Sequence, residues 1–242
     1  EIYTLSLHDA LPILVIKDVP RLIERLHNQN ALIPKSVFSH FVGSDADQFD
    51  DFSQQQFERF DVGSKMLQAA FEHHILRHID NSAGIEHFPQ RQLDMCRLGL
   101  GLYGINPRNN AIINNVSTLR TTILQLRKVK AGDTVGYSRR GTIDHDSVIA
   151  AIPIGYADGL NRRLGNRNGY CLVNNQRAEY VGNICMDVAM IDVTGIDCHE
   201  GDSVEIFGDN LPVTVLSDAL QTIPYEVLTG ISNRVNRVYF QD

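Results

Sequence analysis

The chain has 242 residues, 43% of them hydrophobic and 21% charged, which is typical of a globular protein with one or two domains and excludes a collagen-like or wholly disordered chain. Its 29 acidic residues outnumber its 22 basic ones, and the formal charge of −7 disfavours generic binding to nucleic acids or anionic membranes. We therefore expect a small-molecule ligand. No apolar run reaches the roughly 20 residues that cross a bilayer, so we expect a cytoplasmic protein. The four cysteines form no CxxC pair, so we expect reduced thiols.

The first part of the chain alternates short apolar strands with helical patterns. Residues 35–41 and 75–79 are predicted strands, and residues 51–71 between them carry phenylalanines at near-helical spacing. A third strand is predicted at residues 95–98. Alternation of this kind is typical of parallel βα units.

The second part changes to closely spaced strands separated by turn signals. Strands are predicted at residues 121–129, 147–154 and 203–207, and glycine-containing turns precede the second and third of them. This pattern predicts an antiparallel sandwich or barrel.

Three local patterns resemble other kinds of site but lack their context. Residues 99–104 satisfy GxGxxG, yet a turn sequence follows where a dinucleotide site needs a helix. The aspartates at residues 45–51 lack the glycine and glutamate positions of an EF-hand. The histidines at residues 73–78 lack an HExxH frame, so no metal site is expected.

Five segments carry polar or small residues where strands of a βα barrel would end. They are residues 38–41, 78–84, 97–104, 152–159 and 183–187. Taken in order, they resemble the alanine racemase family, pyridoxal-phosphate (PLP) enzymes of fold type III, above all through the strings GYADG and ICMD. The resemblance implies an α/β plus all-β fold: residues 15–115 as the C-terminal half of a (β/α)8 barrel that binds PLP, then residues 116–242 as an antiparallel β-sandwich or barrel domain.

The resemblance implies a cofactor role for seven residues. Arg97 corresponds to the arginine that donates to the pyridine nitrogen of PLP, His78 to the histidine that orients it, and His40 to a histidine near the ring. Because an arginine keeps its proton, that nitrogen stays unprotonated and the ring is a weaker electron sink. The phosphate ligands implied by the family are Ser82, the backbone N–H groups of Gly99 and Leu100, and Tyr225.

The resemblance also implies the catalytic and substrate-binding residues. Racemisation needs one acid–base group on each face of the substrate carbon, and in the family these are the cofactor lysine and a tyrosine that corresponds to Tyr137. The residues that line the substrate side are Tyr156, Cys185, Met186 and Asp187. In the family this face serves the neighbouring subunit, so a homodimer with shared active sites is expected.

The sequence departs from the family pattern in its first part. The segment resembling VxKADAYG, which carries the cofactor lysine, and the arginine after a TGM motif have no counterpart. Residues 1–14 are expected to be a non-native segment joined to a truncated gene. Without the lysine, this polypeptide alone is expected to racemise alanine poorly or not at all.

The function implied is interconversion of L-alanine and D-alanine, which supplies D-alanine for peptidoglycan. Three alternatives remain open at this point. The chain could be the racemase part of a bifunctional UDP-N-acetylmuramoyl-peptide ligase/alanine racemase, a non-catalytic PLP-binding module, or a racemase for serine or another small amino acid.

Overall fold

The chain forms two compact units, Glu1–Asn114 and Asn115–Asp242, in a computed structural model that describes residues 2–6 and 14–240. Residue 1 and residues 7–13, most of the segment expected to be non-native, lie outside the described residues. Within the described part, none of the helices combines the length and apolar character needed to span a membrane.

The first unit is built on a three-stranded parallel sheet with strand order β1–β2–β3. The strands are β1 (Ile2–Ser6), β2 (Ile33–Phe38) and β3 (Leu76–His78), and the helices are α1 (Val19–His27), α2 (Asp50–Ala69) and α3 (Ser82–His87). Parallel strands need long crossovers, and α1 and α2 provide them. The core between sheet and helices contains Val37, Phe41, Phe60, Leu67, Ile75 and Ile79.

The predicted strands at residues 35–41 and 75–79 and the helix at residues 51–71 are found as β2, β3 and α2. The predicted strand at residues 95–98 is wrong. That segment makes only two backbone hydrogen bonds beside β3, from the Asp94 N–H to the Arg77 oxygen at 3.1 Å and from the Arg97 N–H to the Asp80 oxygen at 3.0 Å. Two bonds three residues apart do not make a ladder, so the segment runs beside the sheet without joining it.

The second unit contains three antiparallel sheets. Their strands are β4 (Leu119–Thr122), β5 (Gln125–Val129), β6 (Thr134–Val135), β7 (Gly141–Thr142), β8 (Ser147–Ile152), β9 (Tyr170–Val173), β10 (Gln176–Glu179), β11 (Ala189–Asp192) and β12 (Ser203–Phe207). The strand orders are β10–β9–β12–β4, β11–β8–β5 and β6–β7. Short 3₁₀ turns occur at Ile16–Asp18, Asp47–Phe49, Pro89–Arg91, Leu100–Tyr103, Tyr137–Arg139 and Arg162–Leu164.

Two features of the second unit differ from the expected all-β domain. The single strand predicted at residues 121–129 is two strands in different sheets, because the Ile123 N–H bonds to Asp202 while the next N–H, of Leu124, bonds to Ala151. Two helices follow the last strand, α4 (Val213–Leu220) and α5 (Pro224–Thr229). Residues 213, 216, 217 and 220 of α4 are buried, which is the spacing of one helix face. The architecture is thus an open α/β sheet, not a closed barrel, followed by an antiparallel β unit with two helices.

Candidate functional site

Arg97 lies in a polar cluster at the carboxyl ends of β2 and β3. One guanidinium nitrogen, Nη1, contacts Nδ1 of His78. The other, Nη2, donates to the carbonyl oxygen of Ser39 at 2.6 Å and lies 3.0 Å from Nδ1 of His40. The guanidinium carbon also lies 5.1 Å from the centre of the Phe38 ring. Four residues from the ends of two neighbouring strands therefore fix one cation.

The direction of the bond from Arg97 determines the tautomer of His78. A guanidinium donates hydrogen bonds and accepts none, so Nδ1 of His78 accepts and its ring proton lies on Nε2. Burial, and then the charge of Arg97, lower the pKa of His78 from 6.5 to about 4. His78 is consequently a neutral acceptor that orients the guanidinium without competing with its charge.

Asp80 lies next to this cluster, and although it falls within the segment 78–84, it received no role of its own from the sequence. It is 0% exposed, and neither of its carboxylate oxygens has a hydrogen-bond partner among the described residues. Burial raises its pKa to about 6, while the nearby charges of Arg91 and Arg97 oppose the rise. An unpaired buried carboxyl of this kind favours its protonated form.

Ser82 and two backbone N–H groups form a small cradle beside Arg97. The Ser82 hydroxyl oxygen accepts from the Gly99 N–H at 2.7 Å and from the Gly101 N–H at 3.4 Å. Gly99 was expected here, and Gly101 adds an N–H group that the resemblance did not name; Leu100, the other expected backbone donor, lies between them with a buried side chain. Converging backbone N–H groups and a hydroxyl are suited to an anion. Because Gly99 is two residues after Arg97, one segment carries both the cation and the cradle.

In the second unit, Tyr137 is presented on a strained loop. Its side chain is 71% exposed. Three of the four residues from 136 to 139 have positive φ: Gly136 at 79°, Ser138 at 58° and Arg139 at 53°. Non-glycine residues adopt this conformation at a cost, so the surrounding structure must hold the loop in place. The carbonyl oxygen of Tyr137 accepts a hydrogen bond of 3.1 Å from Nδ2 of Asn183.

The GYADG and ICMD strings are joined by backbone hydrogen bonds. The N–H of Tyr156 donates to the oxygen of Cys185, and the N–H of Ala157 donates to that of Met186, both at 3.0 Å. A Cβ on Gly155 would lie 2.3 Å from the Met186 oxygen. Only glycine fits this close approach, which explains the glycine at the start of the first string. Tyr156 and Met186 are both exposed.

Asp187 was expected among the substrate-binding residues, and its carboxylate is engaged within the protein. Nη2 of Arg234 lies 2.6 Å from Oδ1 of Asp187, and Nε of the same arginine lies 2.8 Å from Oδ1 of Asp158. One guanidinium thus ties the ends of the two strings together. This geometry favours a role for Asp187 in holding the loop.

The expected site residues fall into two groups, one in each unit. The first contains His40, His78, Ser82, Arg97, Gly99 and Leu100. The second contains Tyr137, Tyr156, Cys185, Met186 and Asp187, while Tyr225 lies on α5, half-buried. Tyr156 and the two residues after Tyr225 line one cavity of about 340 Å³.

Four residues with clear contacts received no individual role from the sequence: Ser39, Asp80 and Asn183, which lie within the segments singled out, and Arg234, which lies outside them. Ser39 acts through its backbone oxygen, which leaves no signal in a sequence. Asn183 begins the segment that contains ICMD, but its contact with the Tyr137 loop has no signal in the sequence.

One further cluster of charged side chains lies away from these groups. A ligand atom from each of Asp47, Asp50 and His87 lies within 4.8 Å of the others. Arg108 contacts the Asp47 carboxylate, and Nδ1 of His87 lies 3.1 Å from the Ser44 oxygen. The contacts with Arg108 are those of an ion-pair network at the surface.

Comparison with known proteins identifies one family along both units. The model of the alanine racemase N-terminal domain matches residues 14–107, and that of the C-terminal domain matches residues 116–239. An alanine racemase of Desulfosudis oleivorans is 40% identical over 219 residues, which are 86% of this chain and 55% of the relative. Alanine racemase 2 of Caldanaerobacter subterraneus subsp. tengcongensis is 39% identical, with 90% and 58% covered.

Solved structures give the same result. The alanine racemase from Bacillus anthracis with bound L-Ala-P has a TM-score of 0.89 at 25% identity, covering 100% of this chain and 65% of that chain. The alanine racemase from Bartonella henselae with covalently bound pyridoxal phosphate has a TM-score of 0.82 at 28% identity, with 99% and 66% covered. The chain spans little more than half the length of the two curated relatives. It belongs to the alanine racemase family.

Proposed function

We propose that this chain supplies the PLP-binding cluster and the catalytic tyrosine of an alanine racemase, which interconverts L-alanine and D-alanine and so provides D-alanine for peptidoglycan. The observation that carries the proposal is Arg97, held by two histidines through their Nδ1 atoms, on the same segment as the Ser82 cradle. Relatives at up to 40% identity are named alanine racemases, and one similar structure holds covalently bound pyridoxal phosphate.

The residues present fit PLP. The Ser82 hydroxyl and the Gly99 and Gly101 N–H groups would bind the phosphate, and Arg97 would donate to the pyridine nitrogen. The fit rests on the donors converging at Ser82 and on the buried, unpartnered Nε2 of His78 beside Arg97. When bound, PLP supplies an electron-accepting ring that makes the α-proton of the amino acid acidic. Since Arg97 keeps its own proton, it moderates that electron demand and disfavours transamination.

Tyr137 is the acid–base group that this chain supplies. As a phenolate, its oxygen would accept the α-proton on one face of the substrate, and as the resulting phenol it would return that proton in the reverse direction. The second group, a lysine in the family, lies in a segment for which this sequence has no counterpart.

The proposal includes a homodimer with shared active sites. Tyr137, Tyr156 and Met186 are all exposed on the second unit, which is the arrangement expected if this face serves a second subunit. The four cysteines are free, which is in keeping with a cytoplasmic location.

Cofactor binding is tested with pyridoxine 5′-phosphate, which has no aldehyde and therefore cannot react with surface lysines. Equilibrium dialysis should show binding to the chain that weakens about tenfold or more in Arg97→Leu and in Ser82→Ala, because each loses a hydrogen bond to a charged or polar group. The matched control is Arg108→Leu, which removes an arginine of the same unit outside the cluster. Equal affinities for the three variants and the original chain would contradict the proposal.

Turnover is tested by chiral analysis of alanine incubated with PLP and the chain, alone and mixed with the separately expressed first part of the Desulfosudis oleivorans relative. D-alanine should form only in the mixture, where a lysine becomes available, and Tyr137→Phe should abolish it. Racemisation that is unaffected by Tyr137→Phe would refute the assigned role.

A further inference from the structure

A buried amide side chain, that of Asn183, holds the backbone of the loop at Tyr137 itself, while Nε of Arg139 in the same loop donates to Oγ1 of Thr134 at 3.1 Å. Asn183 is 7% exposed. Its Nδ2 donates to the carbonyl oxygen of Tyr137 at 3.1 Å, and its Oδ1 accepts from Nδ2 of Asn166 at 3.0 Å. Both ends of the amide are therefore engaged, one on the tyrosine and one on a supporting side chain.

The backbone around position 182 brings Asn183 to this loop. Gly182 has φ of 67°, and a Cβ there would lie 2.6 Å from the Val135 oxygen. A Cβ on Gly141 would lie 2.9 Å from the Gly182 N–H nitrogen. The chain before Asn183 thus packs directly against β6 and β7, the two strands that flank the Tyr137 loop.

The loop needs such an attachment because its own conformation is costly. Gly136, Ser138 and Arg139 have positive φ, a conformation that is unfavourable for the two residues that are not glycine. The phenol itself makes no hydrogen bond to the described residues of the second unit, and the side chain is 71% exposed. Without a bond to the backbone, relaxation of the loop would move the ring.

We propose that Asn183 is a positioning residue, which fixes the backbone of Tyr137 and thereby sets where the phenol is presented. The proposal rests on the catalytic role proposed for Tyr137. The side-chain hydrogen bonds of Asn183 among the described residues go to Tyr137 and Asn166. Asn183 acts through the tyrosine, and Asn166 keeps its amide in the correct orientation.

The test uses the full chain labelled with 3-fluorotyrosine, and the fluorine resonance of Tyr137 among the eight tyrosines is identified by its loss in Tyr137→Phe. Asn183→Ala removes the donor. Asn183→Asp keeps an acceptor for Asn166 but faces the Tyr137 carbonyl with a carboxylate. In both variants the Tyr137 resonance should narrow and move toward its denatured position, and trypsin should cut after Arg139 or Arg140 about tenfold faster.

Acidification distinguishes a specific bond from general loosening. A protonated aspartic acid can again donate to the Tyr137 oxygen, so lowering the pH should restore the original resonance in Asn183→Asp but not in Asn183→Ala. The titratable or charged groups on the segments that meet here are Tyr137, Arg139, Arg140, Arg167, Cys185 and Asp187. They are common to all the variants, so the titration of the unsubstituted chain accounts for them.

The matched control is Asn168→Asp, which removes donors to the Arg163 and Ala219 oxygens in the same unit and should leave the Tyr137 resonance unchanged. The proposal would be overturned if the Tyr137 resonance and the rate of tryptic cleavage were unchanged in Asn183→Ala. It would also be overturned if acid did not restore the original resonance in Asn183→Asp. The fluorine measurement needs no turnover, and the D-alanine assay does not depend on Asn183. A failure of either one is therefore recognised separately.

Discussion

Replacing Asp80 by asparagine should change how the stability of the first unit depends on pH. Burial raises the pKa of this carboxyl from 3.8 to about 6. Between these two values the folded state holds a proton that the unfolded state has released, so the free energy of unfolding falls as the pH rises. Since a factor of ten in a protonation constant corresponds to about 1.4 kcal/mol, ionising Asp80 costs the folded state about 3 kcal/mol.

His78 has the opposite effect over nearly the same range of pH. Burial and Arg97 lower its pKa from 6.5 to about 4. Between these values the unfolded state takes up a proton that the folded state does not, so the free energy of unfolding falls as the pH falls. This contribution is also about 3 kcal/mol. The two nearly cancel in the original chain, whose stability should change little between about pH 4 and 6.5.

The two single variants separate these contributions. In urea unfolding without PLP, the free energy of unfolding of Asp80→Asn should rise by about 3 kcal/mol from about pH 4 to 6.5, and that of His78→Gln should fall by a similar amount. Pulse proteolysis with mass spectrometry assigns the transition to the first unit. Each substitution also changes the free energy of unfolding by an amount that does not depend on pH. The slope of the free energy of unfolding against pH is unaffected by that offset, so it reports the titration of the group that was removed. Parallel profiles for Asp80→Asn and the original chain would refute the buried, unpaired state of Asp80.

Two glycine substitutions test the close contacts around the site. Gly84→Ala should lower the free energy of unfolding by about 1–3 kcal/mol, because its Cβ would lie 2.8 Å from Oδ1 of Asp80. In urea unfolding, the double variant Asp80→Ala/Gly84→Ala should recover most of this loss, because the clashing carboxyl is removed. Gly155→Ala should cost about 3 kcal/mol or more in the same assay, because its Cβ would meet the Met186 backbone. Gly195→Asn is the matched control for Gly155→Ala, since a Cβ at position 195 meets nothing within 4 Å. If Gly155→Ala and Gly195→Asn lowered the free energy of unfolding equally, the packing argument would be contradicted.

The elements that sequence predicted well are those whose pattern is decided locally. The phenylalanines of α2 repeat at helical spacing, and the strand predicted at residues 203–207 is β12 with the same bounds. The strand predicted at residues 121–129 failed for a reason that no local pattern contains. Successive N–H groups of Ile123 and Leu124 bond to Asp202 and Ala151, so the break depends on which distant strands are available as partners.

The candidate site shows the same division between identity and environment. Strings such as GYADG and ICMD point to a family because their glycine and backbone contacts tolerate few alternatives, as the 2.3 Å approach at Gly155 shows. The charge state of a side chain is set by neighbours far apart in sequence. His78 is a neutral acceptor because it is buried and because Arg97, 19 residues away, donates to it. Asp80, two residues after His78, cannot be distinguished by sequence from an ordinary exposed aspartate, because its raised pKa depends on its burial. Sequence therefore names the groups that can take part in proton chemistry, and the three-dimensional packing decides which of them hold a proton.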